Sequence, residues 1–229
     1  MDDRAFRRTG ALCAVGVAVL SVLYAVAYLG VTPADQRGTD VDKAYRSYLA
    51  HPAGVRIASI CLFASGLLVG VAVVAVVRHL APRSRSTLTW VAIAGLVGGL
   101  ATAAHGLSDL LGVDKLAHTY GDGDAATRAA VVVAHAAPSA VDPRGLATFL
   151  VAGLVAFTIG VVLRPARSRL GVLGMVLGVD MVVLFIATAV GVNGLVLVTG
   201  GLASVVLGPL WWVCLARLLW SETPAVTGS

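Results

Sequence analysis

Asp180 stands inside an otherwise apolar stretch, Leu170 to Val190, eleven residues beyond Arg169. At the helical rise that is about 16 Å, half the thickness of a bilayer's hydrocarbon core. An ionisable side chain at that depth costs about 2.5–3.5 kcal/mol on insertion scales, so it marks a hydrogen bond to a neighbouring helix or a site that acts on something. Ser204 is expected at similar depth, thirteen residues before Arg217, and it lies between Gly200 and Gly208 in a small-residue stripe that permits close helix approach. A contact between Asp180 and Ser204 is therefore expected.

His105 and Asp109 are four residues apart and share one helical face. This is the spacing that an acid–base pair or a proton relay would use, and also that of two residues at a helix end beside water. Tyr24 and Tyr28 repeat the four-residue spacing, and Asn193 falls in a short turn where it is expected to cap. Together with Thr148, these residues could line a polar pocket open to the outer leaflet. Tyr28 also fits the aromatic belt of a membrane interface. His118, Asp122, Asp124 and His135 are metal-ligating types, but their spacing matches no zinc or calcium signature, so no metal is expected. Gly121 to Asp124 reads instead as a turn and a helix cap. The sequence carries no phosphate loop, dinucleotide fingerprint, nucleophile elbow or His-Glu-x-x-His, and no cofactor is expected.

The elements that must position these residues are apolar helices. Hydrophobic residues make up 58% of the 229-residue chain and charged ones 13%, far below the quarter usual in soluble domains. The reading is all-α: a single polytopic transmembrane bundle of six helices at 11–31, 55–77, 88–112, 145–163, 170–190 and 194–215. Outer loops are expected at 32–54 and 113–144, with a surface helix over 124–135 and a flexible tail at 221–229. The first helix also resembles a signal peptide, but its apolar run is long enough to span and it is expected to remain.

Charge sets the orientation. One side of the six-helix threading carries ten Lys and Arg against three acids, the other seven against seven. Positive loops stay inside, so both termini are expected in the cytoplasm, and the net charge of +5 is an orientation signal with no nucleic-acid partner implied. Cys13, Cys61 and Cys214 all fall within apolar runs and imply no disulfide framework.

Six helices, a charged outer loop leading into His51-Pro-Ala-Gly-Val-Arg56, and a last helix that closes on Gly208-Pro-Leu-Trp-Trp-Val-Cys-Leu-Ala-Arg217 resemble a family of uncharacterised bacterial multi-pass membrane proteins. That resemblance implies the fold and no catalytic residue.

Three functions follow. The first is binding or handling of a lipid or lipophilic small molecule in an outer-leaflet cavity, with Asp180, Ser204, Tyr24, Asn193 and Thr148 as ligand contacts. The second is an intramembrane acid–base enzyme, for example one that starts isoprenoid cyclisation by protonation, with Asp180, Asp109 and His105 as catalytic groups. The third is an accessory subunit docking partner transmembrane helices through Gly95, Gly98 and Gly99 or through Gly200, Ser204 and Gly208. The oligomeric state is not legible.

Overall fold

The computed structural model describes residues 3–37, 40–81, 85–136 and 142–221. The tail expected from 221 onward lies, after Ser221, outside the described residues, as does Arg83 of the second loop. Among the described residues the secondary structure is helical throughout. Nine α-helices follow in order: α1 (Asp3–Ala25), α2 (Val41–Ala50), α3 (Ala53–Leu80), α4 (Arg85–Asp122), α5 (Ala125–Ala136), α6 (Ala152–Leu163), α7 (Ser168–Val190), α8 (Asn193–Gly201) and α9 (Gly208–Trp220). Three single π turns, Val26–Val31, Leu146–Val151 and Leu202–Leu207, extend α1, precede α6 and join α8 to α9.

Six stretches are long and apolar enough to cross a membrane: Asp3–Val31, Ala53–Leu80, Ser86–Asp122, Leu146–Leu163, Ser168–Val190 and Asn193–Trp220, here spans one to six. They pack as a ring in chain order, and the last closes on the first through α9 and α1. Leu12, Ile93, Leu100, Val179 and Val190 point outward from the ring.

Close approach between spans five and four depends on missing side chains. A Cβ added at Gly160 would lie 2.7 Å from the Gly171 carbonyl oxygen, and one at Gly178 would lie 2.6 Å from the Gly153 oxygen. Such backbone-on-backbone contact brings many atom pairs to van der Waals distance, and their summed dispersion energy helps hold the two spans together. The densest core sits at the end where α1 begins and α9 finishes, called the lower end: Trp211, Leu80, Leu88, Ile159, Leu163 and Leu215 are fully buried there. Trp211 fills the space over Gly174.

The upper end departs most from expectation. The third helix does not stop at Gly112; α4 runs 38 residues, about 57 Å. Residues 113–122, expected as loop, are helix because Val113, Leu116, Ala117 and Tyr120 form one apolar stripe that packs on α2. The loop expected at 32–54 likewise holds α2, capped by Asp40, whose side chain accepts from Lys43 N at 3.2 Å. The expected surface helix is present as α5, with Asp124 Oδ1 accepting from Thr127 N at 2.8 Å.

Helices α2 and α5 and the top of α4 thus make a small cap with its own core of Tyr45, Tyr48, Ala117 and Val131. Polar contacts ring it. Tyr45 Oη lies 3.0 Å from His135 Nδ1, and Tyr120 donates to Asp42 at 3.2 Å. Arg56 and Tyr48 both donate to Asp114. The Arg46 guanidinium beside Asp42 holds that carboxyl below the usual range, while burial pushes the Tyr45 and Tyr48 phenols up.

Candidate functional site

Two polar sites interrupt the apolar bundle. The first is at the head of span four. Gly145 adopts φ +74°, a conformation that only glycine enters cheaply, and this turns the chain so that Asp142 folds back over the start of the helix. The Asp142 side chain is fully buried. Its carboxylate accepts from Ala147 N at 2.6 Å, Thr148 N at 3.2 Å and Thr148 Oγ1 at 2.5 Å, so it meets orphan amides at the positive end of the helix dipole.

His105 on α4 reaches toward the same carboxylate, with Nδ1 3.8 Å from Asp142 Oδ2, while its Nε2 lies 3.2 Å from Asp109 Oδ2. Thr102 Oγ1 lies 3.1 Å from Thr148 Oγ1 and donates to the Gly98 carbonyl at 2.8 Å. The result is a polar chain from half-exposed Asp109 through His105 to buried Asp142 and on to half-buried Thr148 and Thr102. Tyr24, stacked on Tyr28 at 5.8 Å between ring centroids, lies within electrostatic reach of Asp109. Of the residues expected to line a pocket, His105, Asp109 and Thr148 gather around Asp142. That buried acid was missed. An Asp-Pro-Arg-Gly run reads locally as a turn, and only the tertiary fold shows that the carboxyl is enclosed.

The second site is at mid-bundle. Spans five and six form an antiparallel hairpin about Gly191, which takes φ +77° and ends α7 by donating to the Ala187 carbonyl. A Cβ at Gly200 would lie 3.7 Å from Leu184 Cδ1, a register that continues down the hairpin to set Asp180 level with Ser204. Ser204 thus shares the register of Asp180, and no hydrogen bond joins the two. Asp180 Oδ2 is buried and has no partner among the described residues.

The cause is written in span six, which is not the regular helix expected at 194–215. Pro209 has no amide proton and its ring crowds the carbonyl one turn back, so the helix widens into the π turn Leu202–Leu207, which contains Ser204.

Other expected members fall elsewhere. Asn193 is exposed as the first residue of α8, and no side-chain cap bond forms there. Asp109 and Asp180 do not meet as an acid pair, because α6 stands between α4 and α7 in the ring. Gly95 and Gly99 face Val73 and Gly66 of α3, and Gly98 lies near Val151. Two open grooves on the cap around Pro33, Ala50 and His51 share no lining residue with either polar site.

No family model, no curated protein and no solved structure matches this chain, and what the fold itself gives is a ring of six helices long and apolar enough to cross a membrane.

Proposed function

We propose that this chain is a multi-pass protein of the bacterial cytoplasmic membrane, with both chain ends in the cytoplasm, that binds or handles a lipid or lipophilic small molecule through Asp180. The excess of Lys and Arg at the lower end supports the orientation. One observation carries the ligand reading: a carboxyl oxygen buried at mid-bundle with nothing to bond. Native proteins leave few such atoms, and one that costs stability without a structural return is where a ligand would bind. The seam beside it is apolar and open outward, with Val176, Val179, Val205 and Val206 about half exposed. A ligand's hydrocarbon body would lie along that seam rather than in an enclosed outer-leaflet cavity.

The test is native mass spectrometry of the purified protein with its bound lipids, wild type against Asp180→Asn, at matched thermal stability. A discrete adduct lost in the variant is the expected result; identical spectra would end this reading.

A second reading, acid–base chemistry on a lipophilic substrate, draws on the Asp109–His105 pair and its approach to Asp142. Its catalytic groups would be His105 and Asp109, with Asp180 too far around the ring to share a proton with them. The accessory-subunit reading is weaker, since the glycines Gly95 and Gly99 already serve contacts inside the chain.

A further inference from the structure

The backbone opposite Asp180 adds a second unserved acceptor. In a regular helix the Ser204 carbonyl would accept from the amide of residue 208, and in a π turn from that of residue 209. Here the Gly208 amide donates to the Ala203 carbonyl, and Pro209 has no amide proton to give. Neither helical donor serves Ser204.

By the register that sets Gly200 against Leu184, Asp180 and the Ser204 carbonyl stand at one level of the spans five and six hairpin, and with the Asp180 carboxyl ionised both are acceptors only. From Leu170 to Ala216 those spans contain no Lys, Arg or His, and Ser21 of neighbouring span one spends its hydroxyl on the Val17 carbonyl at 2.8 Å. The Ser204 hydroxyl makes no bond to Asp180, and turning it would satisfy only one acceptor. A seam with surplus acceptors and apolar walls is complementary to a molecule with an apolar body and a donor at its head.

Resting on the ligand reading above, we infer that the seam between Asp180 and the π turn selects lipophilic molecules whose polar end donates hydrogen bonds, an alcohol or an ammonium, and discriminates against ethers, esters and carboxylates of the same length. Pro209 is a positioning residue in this scheme. It keeps the Ser204 carbonyl open, and it touches no reacting atom.

The experiment measures binding of hexadecanol, hexadecylamine, hexadecyl methyl ether and hexadecanoate to the detergent-purified full chain by native mass spectrometry titration. The alcohol and amine are expected to bind at least tenfold tighter than the ether, because a donor that meets a buried unpaired acceptor is worth a charge-assisted hydrogen bond. Pro209→Ala restores an amide donor and should narrow that gap several-fold with the thermal midpoint held or raised. Asp180→Asn brings its own donors and should close the gap. Equal binding of alcohol and ether in the wild type overturns donor selection while the ligand reading stands. Should none of the four bind, the ligand reading falls and the inference with it. An unchanged gap in both variants, each folded by thermal shift, would also overturn it.

Discussion

Asp142 and Asp180 are both carboxylates set among apolar helices, and the chain treats them in opposite ways. Around Asp142 two amides and a hydroxyl converge within hydrogen-bonding distance, and His105 approaches from the next helix. Around Asp180 no donor arrives from the described residues, and the adjacent helix is deformed so that it too offers an acceptor. A saturated buried acid is architecture, since its energy is already spent within the fold. A bare one lowers stability and leaves its bonding capacity to something outside the chain.

Substitution should separate the two sharply. Asp142→Ala orphans the Ala147 and Thr148 amides at a buried helix start and is expected to lower stability by about 2–3 kcal/mol, read as a fall in the thermal midpoint in detergent. Asp180→Leu should do the reverse and raise stability by about 1–2 kcal/mol while abolishing the lipid adduct. If that variant were destabilised as Asp142→Ala is, the two sites would be alike and the contrast would fail. Thr148→Val removes one hydroxyl that bridges Asp142 and Thr102 and is expected to cost about 1 kcal/mol, with ligand binding unmoved.

The smallest effect belongs to the exposed acids of the cap. Asp42 and Asp124 are held below the usual carboxyl range, by the Arg46 hydrogen bond and by the Thr127 amide respectively. Their stabilising contribution is present above the unfolded value near pH 4 and is lost as pH falls below it through the lower folded values. Amide protection in α2 and α5, measured relative to the intrinsic exchange rate, should therefore fall first as pH drops below about 4, before protection in the bundle.

The six spans were legible because twenty-residue apolar runs have few alternatives in a chain this poor in charge. What was read as outer loop was legible too, by a different period. Val41, Ala44, Tyr45 and Tyr48 recur at helical spacing behind Asp40, and Val113, Leu116, Ala117 and Tyr120 continue the same spacing past Gly112. A search for apolar runs passes over helices that are apolar on one side only.

The level of Asp180 with Ser204 followed from counting residues, whereas the missing bond between them did not. The proline that explains it stands five residues further on, and its effect acts through the backbone rather than a side chain. Asp142 is the opposite case. Its partners are local, but its burial depends on the packing of span four against α4, which no spacing in the sequence announces.

Helix α4 has no proline and no break between Arg85 and Asp122. One continuous helix therefore passes from the lower end of the bundle, past His105 and Asp109, into the cap, where Arg56 and Tyr48 donate to Asp114, more than a turn above Asp109. The ion pair that fastens the cap and the histidine that stands 3.8 Å from buried Asp142 are thus carried on one backbone.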